Sequence, residues 1–190
     1  MIEHEPWKGP HYETGINGER IAIVGHSHYR DCEDTNSFTL DVMSDVISGR
    51  CSYSFFNHIA TYFDARHIGG IWNRVLFFNY LPDCVGSDEE RYKFGRPEQI
   101  ERGHERFLRL LAEYRPQKVF VFSKKIWPKR PPTREDSAAG EITDGGFSWG
   151  TYQAGRQIVM DFNLRHPERA PKDLMRKAVQ RILSMPLITA

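Results

Sequence analysis

The chain has 190 residues, with 26 Lys and Arg against 25 Asp and Glu and a formal net charge of +1. Hydrophobic residues make up 39% and charged residues 27%, which excludes a disordered or polybasic chain and indicates one domain over 1–190. No apolar run approaches the ~18 residues that span a bilayer, and no signal-peptide pattern opens the chain, so we expect a cytoplasmic protein. Three cysteines without a CxxC pair argue against a disulfide framework or an iron–sulfur centre.

The first 80 residues predict an irregular arm, two strands and two helices. Residues 1–19 place glycines and prolines between polar groups without an apolar period, and we expect an N-terminal arm there. β-Branched and aromatic runs over 20–25 and 74–79 predict buried strands. Between them, the helical spacing of apolar residues predicts helices over 38–48 and 53–63.

The rest of the chain predicts two helices and two strands around a long loop. An amphipathic helix begins at Pro97 and ends before the next proline, because proline suits a first helical turn and breaks an interior one. Residues 118–123 and 157–162 predict strands, and the proline- and glycine-rich stretch 128–150 between them predicts a loop. A last helix begins at Pro171.

Strands that alternate with helices predict an α/β fold. Crossovers between parallel strands need a dozen or more residues, and the predicted helices supply them. We therefore expect a three-layer α/β/α domain with a short, mainly parallel four-stranded sheet. In such sheets ligands bind beyond the carboxyl ends of the strands.

Polar loops follow three of the four predicted strands. They are Gly25 to Asp31 (GHSHYRD), Asn79 to Pro82, and Asn163 to Ala170 with His166 before a proline. Loops this dense in imidazole, hydroxyl and guanidinium groups are typical of functional sites. An amide, an imidazole and an aromatic loop fit a planar heterocycle, although an asparagine at a strand end also caps turns.

The order of these loops resembles the uracil-DNA glycosylase superfamily over roughly residues 20–184. Its members carry a glycine-led, water-activating loop after the first strand, an asparagine that ends the second strand, and a late His-Pro loop. Gly25 and Tyr29 match the first loop of the best-known family, whereas Ser27 stands where that family has its catalytic aspartate. Glu168 stands where the family usually has serine after His-Pro.

The resemblance implies a role for each matched residue. Tyr29 would exclude the 5-methyl group of thymine, Asn79 would bond the uracil edge, and His166 would donate to O2 of the departing pyrimidine. Phe38, 13 residues after Gly25, is expected either to stack on the flipped base or to be plain helix core. The expected substrate-binding residues are Gly25, His26, His28, Tyr29, Phe38 and Asn79; the expected catalytic residues are Ser27, Asp31, Asn79 and His166.

The chemistry of base excision explains these residue types. An enzyme that acts on a base must extrude it from the duplex, and it recovers that cost by stacking and edge hydrogen bonds. A donor near O2 stabilises the negative charge that develops on the leaving base. A serine hydroxyl is no general base near neutral pH. Either Ser27 only orients the water, or Asp31, or Asn79 in a second role, replaces the missing carboxylate.

Two basic runs lie near the predicted site. Residues 115–134 contain seven basic and no acidic residues, and residues 165–181 contain six basic and two acidic residues. They are either solvated faces or a groove for the phosphate backbone. For the second case we expect Lys124, Lys125, Arg165 and Arg169 to contact DNA.

The expected function is excision of a deaminated base, first of all uracil, from single- or double-stranded DNA without metal or organic cofactor. No membrane or obligate protein partner is expected. A first alternative is a nucleic-acid-binding protein of the same fold with weak or no catalysis, because the carboxylate is missing. A second is a small metal-dependent hydrolase that uses His26 and His28, since paired imidazoles are common metal ligands.

Overall fold

The computed structural model describes residues 1–29, 33–87, 89, 93–133, 140–142 and 147–188. Its centre is a seven-stranded mixed sheet of the order β1-β3-β2-β4-β7-β6-β5. The strands are β1 (Trp7–Lys8), β2 (Ile21–Gly25), β3 (Val75–Asn79), β4 (Lys118–Val121), β5 (Gly140–Ile142), β6 (Phe147–Ala154) and β7 (Gln157–Asn163).

The four predicted strands are confirmed as β2, β3, β4 and β7, and they form the parallel centre of the sheet. The expected four-stranded sheet is wrong in extent, because β1, β6 and β5 add antiparallel pairings at both edges. The expected loop over 128–150 contains β5 and the start of β6. Its glycines and polar residues conceal the strands, which antiparallel pairing of β5 with β6 and of β6 with β7 stabilises. Gly155, at φ 64°, lies in the tight turn between β6 and β7.

Helices cover both faces of the sheet. They are α1 (Phe38–Ser48), α2 (Ser54–Tyr62), α3 (Gly69–Trp72), α4 (Pro97–Tyr114) and α5 (Lys172–Ser184). One core cluster joins alternate strand residues such as Ile23 and Phe77 to α1, α2, α3 and α5. The other joins Val24 and Phe78 to α4. The predicted helices are confirmed, and the short α3, with its two glycines, is an addition.

The N-terminal arm is more ordered than its composition predicts. Trp7 and Lys8 pair antiparallel with β3. Tyr12 is buried, and its hydroxyl donates to the carbonyl of Tyr114 at the end of α4. His4 is 1% exposed. The arm therefore packs along the edge of the sheet, where β3 supplies the partners that its own sequence lacks.

No helix in the described part of the chain is both long and apolar enough to cross a membrane.

Candidate functional site

The loop after β2 and the end of β3 meet at the carboxyl edge of the parallel strands. Gly25 and Asn79 are paired in register. The amides of Tyr80 and Leu81 donate to the carbonyls of Gly25 and His26, both at 3.0 Å. The backbones therefore continue side by side beyond the sheet, and the first two predicted polar loops form one surface.

Asn79 presents a largely buried amide at the end of β3. The residue is 5% exposed, and its side chain makes no hydrogen bond within the described part of the chain, but its amide atoms are not among the fully buried polar atoms that lack a partner. Its backbone carbonyl accepts from Arg106 of α4, which is itself buried. An amide at the mouth of a strand, held by its backbone and not engaged by a neighbouring side chain, can bond a ligand that reaches it.

The Phe55 ring lies close both to Gly25 in the first polar loop and to His166 in the third. A Cβ atom built on Gly25 would lie 3.5 Å from Cζ of Phe55. The Phe55 ring lies 5.6 Å, centroid to centroid, from the ring of His166 in the loop after β7. Gly25, Asn79, Phe55 and His166 therefore lie on one face at one edge of the sheet, although they come from four separate segments.

The hydrogen bond of His166 selects its tautomer. Its Nδ1 accepts from the backbone amide of Glu168 at 3.4 Å, at the start of the short helical turn Pro167–Arg169. Burial lowers the pKa of His166, and the charges of Arg169 and Lys125 lower it further while Glu168 opposes them. The ring is therefore neutral near pH 7, with its proton on Nε2, and it can donate from that atom.

His26 and Ser27 form a hydrogen-bonded pair. The Oγ of Ser27 lies 3.4 Å from Nδ1 of His26, and Nε2 of His26 lies 3.4 Å from the carbonyl of Phe94. Burial, with the charges of Lys125 and His166, lowers the pKa of His26 to about 4, although the Phe94 carbonyl opposes this. A neutral His26 that donates to Phe94 can accept a hydrogen bond from the Ser27 hydroxyl, so that hydroxyl has an orienting partner that the sequence did not reveal.

His28 and Phe38 belong to a neighbouring aromatic cluster. Their ring centroids are 4.9 Å apart, and the His4 ring lies 5.3 Å from His28 and 5.7 Å from Phe38. The Nε2 atom of His28 lies 3.0 Å from the Thr39 hydroxyl. Burial is the main cause that lowers the pKa of His28 to about 3. The Phe38 ring packs against His28 and His4, whereas the ring beside His166 is that of Phe55.

His26 and His28 belong to different clusters. His26 faces Phe94 and Ser27, whereas His28 faces Thr39 and His4. In the part of the chain that the structure describes, no group of three or more metal-ligating side chains includes either histidine. This arrangement does not favour a metal centre on the His-x-His pair.

Aromatic and basic side chains border the candidate site. Tyr29 is 43% exposed, and Tyr53 and Phe94 are exposed as well. The Lys125 ammonium lies 4.8 Å from the Phe94 ring centroid. Exposed rings beside cations are a common surface for unpaired nucleotides. Asp31, the expected alternative base, lies outside the described residues.

The basic run over 115–134 is only partly a surface feature. Lys118 is fully buried, pairs with Glu19 at 2.8 Å and donates to the carbonyls of Leu183 and Met185 at the C-terminal end of α5. Arg130 pairs with the buried Asp161. Lys124 and Arg169 are exposed, and Lys125 and Arg165 are partly buried. The expected DNA contacts therefore remain at or near the surface, while two other members of the run are internal.

Phe55, Phe94 and Tyr53 are the site residues that the sequence did not single out. Phe55 and Phe56 sit side by side at the start of α2, and helical periodicity assigns both rings to the core. Phe56 is buried and Phe55 is only partly so. The difference depends on where α2 lies against the β2 and β7 loops.

Two surface depressions lie apart from these loops. One of about 350 Å³ is lined by Asp173, Arg176, Lys177 and Gln180 on α5. Another of about 260 Å³ lies between α3 and the segment that follows α2. Neither includes a residue of the three polar loops.

Comparison of the chain with known protein families and with curated proteins finds no match.

Proposed function

We propose that the protein is a DNA glycosylase of the uracil-DNA glycosylase type that excises a deaminated base, with uracil as the first substrate. The observation that carries the proposal is the juxtaposition of Gly25, the largely buried Asn79 amide, Phe55 and His166 at the carboxyl edge of parallel strands. Together they offer an extruded pyrimidine hydrogen bonds to its edge, a ring face to stack on and a donor for its O2 atom.

Recognition is assigned to Asn79 and Phe55. An amide carries both a donor and an acceptor, and the uracil edge presents O4 and N3–H as their complements. Because Asn79 is only 5% exposed, it loses little hydration when its amide bonds a base. Phe55 supplies a ring face, and the exposed Tyr29 and Phe94 supply further aromatic surface.

Leaving-group stabilisation is assigned to His166. Cleavage breaks the bond between C1′ and N1, and the electron pair of that bond goes to the base. The negative charge reaches O2, where a neutral imidazole that donates from Nε2 stabilises it in a partly buried setting. Water then adds to C1′ and releases a proton.

Water positioning is assigned to Ser27 with His26. The Ser27 hydroxyl can hold the water while neutral His26 accepts a hydrogen bond from that hydroxyl. With its pKa near 4, His26 is a weak base, so the pair orients the nucleophile rather than deprotonating it fully. Incomplete deprotonation of the water is sufficient when positive charge develops on the sugar before the water attacks, because the sugar is then already electrophilic.

Oligonucleotides that contain one uracil or one hypoxanthine, single-stranded and duplex, test the proposal. We expect abasic-site formation with uracil under single-turnover conditions. Asn79→Ala and His166→Ala should each lower the rate at least tenfold, with unchanged circular dichroism. Gln153→Ala, on β6 and away from the three loops, is the matched control and should keep the wild-type rate.

The outcomes separate the proposal from its rival. Binding without any abasic site at stoichiometric protein would favour a nucleic-acid-binding protein without catalysis, which the serine in place of the carboxylate also supports. Normal excision by both variants would falsify the assignment of Asn79 and His166.

A further inference from the structure

Three metal-ligating side chains from distant parts of the chain meet beside the candidate site. A ring nitrogen of His4, a carboxylate oxygen of Asp34 and the Sγ atom of Cys84 all lie within 4.8 Å of one another. His4 belongs to the N-terminal arm, Asp34 precedes α1, and Cys84 follows β3. Tertiary structure alone brings them together.

Hydrogen bonds already connect this trio. The Nε2 atom of His4 lies 2.7 Å from Oδ1 of Asp34, and Oδ2 of the same carboxylate accepts from the Cys84 amide at 3.0 Å. The amide of His4 donates to the Pro82 carbonyl at 2.7 Å. The backbone segments that carry the three side chains are therefore held in place without any ligand.

The His4 ring is buried with Nε2 toward the trio. The residue is 1% exposed, Nε2 faces Asp34, and Nδ1 has no hydrogen-bond partner among the described residues. A metal ion bound through Nε2 leaves the ring proton on Nδ1, so the nitrogen that faces Asp34 is free to be a ligand. Arg106 bonds the His4 carbonyl and has Glu3 as its counter-charge at 3.6 Å.

We propose that His4, Asp34 and Cys84 bind one divalent transition metal ion of the zinc class, with water as the fourth ligand. One nitrogen, one oxygen and one sulfur donor form a set that zinc accepts, whereas magnesium and calcium prefer oxygen donors. Tetrahedral zinc places its ligand atoms about 3.3–3.8 Å apart. The 2.7 Å separation of His4 Nε2 and Asp34 Oδ1 has to lengthen, and separations of up to 4.8 Å have to shorten, which side-chain shifts of about 1 Å accomplish.

The ion has a structural consequence. It links the N-terminal arm to the segments that follow β2 and β3, and the His28 ring packs 5.3 Å from His4. Metal binding therefore stabilises the surroundings of the first polar loop. The inference does not depend on the proposed excision activity, because its evidence is the ligand geometry alone.

Metal titration of the full chain tests the site. Protein purified under reducing conditions and stripped with chelator is titrated with Zn²⁺, and separately with Co²⁺, whose absorption reports thiolate coordination. We expect one equivalent of either ion, a thiolate-to-cobalt charge-transfer band, and a Tm that rises with zinc concentration. Less than 0.2 equivalents in the wild type, which roughly marks trace contamination, would overturn the proposal.

Variants decide which side chains bind. Cys84→Ser should abolish the charge-transfer band and weaken zinc binding at least tenfold, since loss of a ligand typically costs as much. Asp34→Asn should weaken binding to a similar extent while keeping the band. Cys51→Ser, in the segment between α1 and α2, is the matched control and should change neither. A band that survives Cys84→Ser, or that disappears in Cys51→Ser, would assign the ion to another thiol and refute this site.

Discussion

A Cβ atom placed on Gly25 would lie 2.2 Å from Oδ1 of Asn79, far inside van der Waals contact. The two residues are register partners on adjacent parallel strands, and the amide of one occupies the space that a side chain on the other would need. Glycine at position 25 is therefore a condition for the orientation of the Asn79 amide.

Gly25→Ala should displace that amide. We expect at least a tenfold loss of uracil excision, because the methyl group forces Asn79 away from the direction in which it meets a base. The backbone of β2 has no positive φ at this position, so the fold should survive. Gly70→Ala in α3 is the control, since its Cβ would meet only ordinary contacts at 3.6 Å or more. Equal excision rates in the two variants would show that the amide is not the recognition group.

Phe55 and Phe38 give opposite expectations for base stacking. A stacked ring contributes about 1–3 kcal/mol per base, or roughly five- to hundredfold in affinity. Because Phe55 contacts His166 and lies over Gly25, Phe55→Leu should lower binding of uracil-containing single strands by that amount. Phe38→Leu should change binding less than threefold, because the Phe38 ring packs against the rings of His28 and His4 in the neighbouring aromatic cluster. Fluorescence anisotropy measures both, and the reverse ranking would return the stacking role to Phe38.

His26 should make stability depend on pH. Its folded pKa of about 4 lies below its ordinary value of 6.5, so the unfolded chain binds more protons between these values. The free energy of unfolding therefore falls as pH decreases from 6.5 toward 4. Urea titrations at several pH values should show a shallower fall for His26→Gln than for the wild type. His11→Gln, at an exposed position of the arm, is the control and should follow the wild-type curve.

Salt dependence should report the proposed phosphate contacts. If Lys125 and Arg165 each neutralise one phosphate, each alanine variant should reduce the slope of log Kd against log salt by about 1. Arg176→Ala, which removes an exposed ion pair with Asp64 on the outer surface of α5, should leave the slope unchanged. Identical slopes for the wild type and all three variants would show that Lys125 and Arg165 do not contact the DNA backbone.

The polar loops could be located from sequence because they depend on local rules. Apolar runs bounded by glycine or proline predict the parallel strands, and groups that follow parallel strands collect at their carboxyl edge. Gly25, Asn79 and His166 could therefore be named before any coordinates were known. Strands β5 and β6 could not, since the pairings of β5 with β6 and of β6 with β7, not composition, make those residues strands.

What the sequence by itself determined is the parallel centre of the sheet and the order of the three polar loops along the chain, because periodicity and breaker residues act over a few neighbours. Only the tertiary structure decided that Phe55 rather than Phe56 turns toward His166, that Lys118 and Arg130 leave the basic surface, and that His4 meets Asp34 and Cys84. Those relations join residues tens of positions apart, and the packing of helices and the arm on the sheet sets their distances, which no local pattern encodes.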